Sequence, residues 1–145
     1  MLGSGPGIGV GVASQFASQN FDKIALLSRN ETRLQQDAKS VIQAVEISKG
    51  SASKAIVKTY VADVSDVKSL EQVLLQVIKD LGKPEVVVYN AARLGRGKLF
   101  EASEESVDSD FRVRQTNNMN ALTMLMATKP RPWVSTQQLA FSCPI

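Results

Sequence analysis

Five glycines stand at every second position from Gly3 to Gly11 in the opening MLGSGPGIGVGVASQF, and helix-like sequence follows them directly. Glycine carries no Cβ, so a cluster of it at a helix start lets main-chain N–H groups come close to an anion. The helix N-terminus adds unpaired donors and partial positive charge, worth roughly 0.3–2 kcal/mol to a nearby phosphate. The pattern is Gly-x3-Gly-x-Gly at Gly3, Gly7 and Gly9, with Ile8 between the last two. It does not meet the G-x-G-x-x-G/A fingerprint, because Ile8 and Val12 fall where the last glycine belongs. Taken alone, the run also fits a glycine-rich tail or a turn that holds no ligand.

Three further groups have the types such a ligand needs. Ser28-Arg29 follows the apolar run KIALLS, and an arginine there can make charge-assisted bonds to a ribose 2′-phosphate where an acid would bind the diol. Asp63-Val64 follows AIVKTYVA, and Asn90-Ala91-Ala92 follows EVVVYN, with small residues that leave main chain approachable. Each has a plainer reading: a solvated arginine at a helix start, an aspartate that closes a turn, and ordinary asparagine turn chemistry.

Composition narrows the chemistry. The 145 residues contain no histidine and a single cysteine, Cys143. Ser-His-Asp and Cys-His catalysis are therefore excluded, and no zinc site or other metal site is expected. An internal disulfide is impossible, which agrees with a reducing compartment, and the cytoplasm is the expected location. The net charge of +3 favours a phosphate-bearing small molecule. Arg93, Arg96 and Lys98 lack interleaved aromatics, so no nucleic acid is expected. No apolar run approaches the ~20 residues of a membrane span, so no membrane is expected either.

The elements that must position these groups alternate. After the glycines, Val12, Ala13, Phe16 and Ala17 recur at helical spacing, closing near residue 20. KIALLS over 23–28 reads as a strand, and 31–48 as a helix with Leu34, Ala38, Val41, Ile42 and Val45 on one face. Residues 55–62 read as a second strand. Ser65 or Asp66 caps the next helix, whose apolar face carries Val67, Leu70, Leu74, Val77, Ile78 and Leu81. Gly82-Lys83-Pro84 ends it before a third strand at 85–90, and a last helix is expected over 104–127. Strands that alternate with helices predict an α/β fold with a parallel sheet covered on both faces.

GSGPGIG, the LLSRN strand end, the ADV step and VVVYNAA, in that order and at those spacings, resemble the short-chain dehydrogenase/reductase family from about Gly3 to Ala127. The resemblance implies a Rossmann-type, doubly wound parallel sheet that binds NADP, with NAD less favoured. It implies that Gly3, Ser4, Gly5, Gly7, Ile8 and Gly9 line the pyrophosphate. Ser28 and Arg29 would select NADP, Asp63 and Val64 would contact adenine, and Asn90 would lie by the nicotinamide ribose. Complete relatives would transfer hydride to or from a small alcohol or carbonyl substrate, and a homo-oligomer is compatible with the family.

The chain departs from that family in its catalytic half. The family's Tyr-x-x-x-Lys pair is absent: Tyr60 is followed four positions on by Val64, and Tyr89 by Arg93. Both tyrosines read as strand residues. Asn117, Asn118 and Asn120 lie downstream of the family's asparagine position near Arg114, and Ser135 has no expected strand context. Only Met1-Leu2 stand where the first, central strand should run, and later strands are not expected. Residues 1–128 thus read as a partial dinucleotide-binding Rossmann domain and 129–145 as an irregular tail, with no catalytic residue assigned. The alternatives are a non-catalytic NADP-binding or interaction module, or a marginally folded product. A methyltransferase, which also uses a glycine-rich turn, is disfavoured by Arg29.

Overall fold

The computed structural model describes residues 1–19, 21–49, 55–91, 104–105, 108 and 133–136. Helix α1 (Ile8–Ser18) is followed by β1 (Lys23–Ser28), α2 (Glu31–Lys49), β2 (Ile56–Val61), α3 (Val67–Leu81), β3 (Val86–Tyr89) and β4 (Trp133–Thr136). The expected α/β alternation is present, and every strand pair is parallel. β1 pairs with β2 in the register Lys23↔Ile56 to Ser28↔Val61. β3 pairs with β4, Val86↔Trp133 to Tyr89↔Thr136.

Leu2 joins these halves, bridging to Leu27 on one side and Tyr89 on the other. Its N–H donates to the Val88 carbonyl at 2.8 Å, and its carbonyl accepts from Asn90 N at 2.8 Å. Met1 does the same toward β1: its carbonyl accepts from Leu27 N at 2.9 Å and its ammonium donates to the Ala25 carbonyl at 2.8 Å. The place expected to lack a strand is thus filled at its top by two residues. β4 corrects the reading of the carboxyl side. Residues 129–145 were expected to be irregular and later strands absent, yet Trp133–Thr136 add a parallel strand and Ser135 pairs with Val88.

The alternation of side chains along β1 divides the core. Ile24 and Leu26 join Leu34, Ala38, Val41 and Val45 of α2 and Ala13 and Ala17 of α1. Leu27, Leu2, Val87 and Tyr89 join Leu70, Leu74 and Val77 of α3 in a second cluster. Helices therefore cover both faces of the sheet, and strands buried on both sides need the unbroken apolar runs seen in β1 and β3. Asp66 caps α3, its carboxylate accepting from Lys68 N at 3.0 Å and Ser69 N at 3.3 Å. Gly82 ends that helix at a φ of 91°, a conformation that glycine adopts without penalty. The expected helix over 104–127 lies outside the described residues except at Glu104, Glu105 and Asp108, which are helical.

Candidate functional site

Parallel strands place their carboxyl ends along one edge, so Ser28, Asp63 and Asn90 and the glycine turn are gathered there. The turn is fastened to that edge by main chain: Gly3 N and Ser4 N both donate to the Leu27 carbonyl at 2.9 Å.

The glycines divide into two kinds. A Cβ on Gly3, which sits at a φ of 80°, would lie 2.6 Å from Ala91 Cα and 2.8 Å from the Asn90 carbonyl carbon. On Gly9 it would lie 3.1 Å from Ser4 Cα. These two glycines serve the packing of turn against strand and helix. Gly5 and Gly7, by contrast, have nothing within 4 Å of an added Cβ. Gly7 is the N-cap of α1 at a φ of 95°, and no side chain caps that helix. The amino end of α1 is thus capped by main chain alone, the Val10 N–H donating to the Gly5 carbonyl at 3.1 Å beside an exposed Ile8.

Ser4 faces inward. Its hydroxyl, in a residue only 8% exposed, donates at 2.9 Å to the carboxylate of Asp37, itself 4% exposed in α2. Any contact of Ser4 with a ligand is left to its main chain. Asp37 was not singled out from the sequence; the signal was a polar residue three positions after Leu34 and four before Val41, on a buried stripe.

At the strand ends, two polar atoms are buried without a hydrogen-bond partner: Ser28 Oγ and Asn90 Oδ1. Asn90 is oriented by its own amide, whose Nδ2 donates to the Gly3 carbonyl at 3.3 Å. Such orphans cost about 1–3 kcal/mol each unless something answers them. Arg29 is exposed at the same edge. Asp63 Oδ1 accepts from Ser65 N at 2.8 Å and Ser65 Oγ at 2.6 Å, which is the turn-closing arrangement. Burial pushes the Asp63 pKa up, but the two Ser65 bonds and the positive charge of Arg29 outweigh it and leave the group below its usual value. Arg29 therefore stands close enough to act on Asp63. Val64 is buried in the α3 cluster.

Tyr89 is 4% exposed, and burial, with the Asp63 charge, pushes its hydroxyl up to about 12. Tyr60 is likewise pushed up to about 12, by burial and then by its bond to Asp80 Oδ2 at 3.1 Å. Arg93, Arg96, Lys98, Asn117, Asn118, Asn120 and Cys143 lie outside the described residues.

The sequence profile of the family described as short chain dehydrogenase matches residues 1–131. The chain belongs to the short-chain dehydrogenase/reductase family. Elsinochrome reductase 1 of Elsinoe fawcettii is 27% identical over 113 residues, which are 78% of this chain and 39% of that protein. An NAD+-bound xylitol dehydrogenase superposes with a TM-score of 0.75 at 20% identity, over 89% of this chain and 47% of its own. The L-sorbose reductase of Gluconobacter frateurii, complexed with NADPH and L-sorbose, does so with a TM-score of 0.70 at 21% identity, over 88% and 48%. The chain thus spans about two fifths of the curated relative and half of these solved structures. The fold they share binds NAD+ in one case and NADPH in the other.

Proposed function

We propose that these residues form the cofactor-binding half of an NADP(H)-dependent oxidoreductase that transfers hydride between the nicotinamide and an alcohol or carbonyl substrate. The observation that carries this reading is the pair of orphaned buried atoms, Ser28 Oγ and Asn90 Oδ1, on strand ends beside the glycine turn. Both can accept from ribose hydroxyls, and the Ser28 hydroxyl can also donate to a phosphate oxygen. The open N-terminus of α1 at Gly5 and Gly7 suits a diphosphate, with Gly3, Ser4, Ile8 and Gly9 shaping its approach. Arg29 supplies the charge that favours a 2′-phosphate, while Asp63 and Val64 border the adenine end. The bound dinucleotide supplies the hydride; this chain's part is to bind and orient it.

A second reading is favoured by the two tyrosines, both engaged in the fold and neither followed by lysine at the fourth position. In it, the chain is a nucleotide-binding module without turnover. Titration calorimetry of the 145-residue chain with NADPH, NADH and ATP tests the shared premise. NADPH is expected to bind at least tenfold more tightly than NADH, and no heat from either at millimolar concentration rejects both readings. Under either reading the isolated chain should leave NADPH unconsumed in the presence of aldehydes and ketones.

A further inference from the structure

Asp37 is a buried carboxylate that the nucleotide reading leaves without a task. It stands in α2 at 4% exposure and accepts from the Ser4 hydroxyl at 2.9 Å. Replacing a buried polar pair of this kind by well-packed apolar groups is often neutral or stabilising, so stability does not account for it. What the pair adds is position. An O–H···O⁻ bond is short and directional, whereas apolar surfaces in contact have no preferred register.

Ser4 is held at two atoms. Its N–H donates to the Leu27 carbonyl of β1 at 2.9 Å, and its hydroxyl reaches α2. Beyond it Pro6 is exposed, and Gly5 and Gly7 have clear space where a side chain would go. Ser4 therefore carries the last buried side chain before the open part of the turn. The other end of the bond belongs to a helix with a fixed start. The Asn30 side-chain oxygen accepts from Arg33 N at 2.9 Å and its carbonyl from Leu34 N at 3.0 Å, which sets the first turn of α2 directly after Arg29. Asp37 follows Asn30 by about two turns, roughly 10 Å along the helix axis.

We infer that the Ser4–Asp37 bond is the positioning link of the nucleotide site: it joins the glycine turn to the helix that starts beside Arg29, and so sets the separation of the diphosphate and 2′-phosphate subsites. The inference rests on the nucleotide reading proposed above. Two anionic groups on one ligand engage together only when their subsites stand at the ligand's own spacing. A loose link lowers the effective concentration of the second contact. The pair thus sharpens the preference for NADPH over NADH without the Asp37 side chain touching either phosphate.

The test uses the full chain as Asp37→Asn, as Asp37→Leu and as the double variant Ser4→Ala/Asp37→Leu. Each is titrated by NMR with NADPH, NADH and 2′-AMP, the last a probe of the Arg29 end alone. The double variant leaves no buried polar partner behind, so its urea midpoint should match or exceed the parent's. Its NADPH affinity should nonetheless fall about tenfold, with NADH and 2′-AMP each changed by no more than about twofold. Asp37→Leu should show the same loss of preference, and Asp37→Asn, which keeps an acceptor for the Ser4 hydroxyl, should retain the parent's. A stable double variant with the parental preference would overturn the inference. Equal losses of NADPH and NADH would do so too, as would weakened 2′-AMP or a double variant that no longer unfolds cooperatively. A parent chain that binds none of the three ligands rejects the nucleotide reading itself, which separates that failure from this one.

Discussion

Gly3 and Gly5 are two positions apart, yet they owe their lack of a side chain to different causes. Gly3→Ala forces a Cβ against the Asn90–Ala91 main chain at a positive φ, so the fold should lose at least about 2 kcal/mol. Gly5→Ala meets nothing within 4 Å, and its urea midpoint should stay within about 0.5 kcal/mol of the parent while NADPH affinity falls. A Gly5→Ala chain that both folds and binds NADPH normally would remove the turn from the site. Arg29→Ala should weaken NADPH about 10–100-fold and leave NADH nearly unchanged, read by calorimetry at low salt. That Ser28, Asp63 and Asn90 gather at one edge was legible, because each follows or ends an apolar run of strand length and the strands are parallel. What sequence could not convey was division of labour. Nothing in GSGPGIG says that Ser4 turns inward to Asp37, since that depends on which way α2 rolls.

Helix α2 shows how a face is misjudged at the scale of the element. Leu34, Ala38, Val41 and Val45 form the buried stripe, and Asp37 and Ile42 stand on its opposite shoulders. Hydrophobicity alone favours Ile42. The fold instead rolls the other shoulder inward, leaving Ile42 40% exposed, because the Ser4 hydroxyl waits there to bond the carboxylate. Helix α3 was easier to read, as its cap and its stop are both local. Asp66→Ala removes the acceptor for Lys68 N and Ser69 N and should cost about 1 kcal/mol, seen as a lower midpoint with unchanged cooperativity. β4 was missed because Trp133–Thr136 is only four residues long and follows two prolines. Its place beside β3 is a tertiary fact that local pattern does not carry.

Across the whole molecule, the family relation and the architecture agree: α1 and α2 on one face, α3 on the other, and Ser28, Asp63, Asn90 and the glycine turn along the strands' carboxyl edge. Among the described residues no helix is long and apolar enough to cross a membrane. The buried amino terminus gives the chain a pH dependence of its own. Folding lowers the Met1 pKa from 8.0 to about 5, so between those values the unfolded chain binds the extra proton. Stability should therefore rise with pH from about 5 to about 8, and acetylation should flatten that rise in thermal melts at a series of pH values. One further consequence follows from Leu2. Among the described residues, its N–H and its carbonyl make the two main-chain hydrogen bonds that tie β3 to the amino-terminal segment. Under mechanical load across the sheet, rupture would start at that leucine, so the tensile strength of the array is set by the main chain of a single residue.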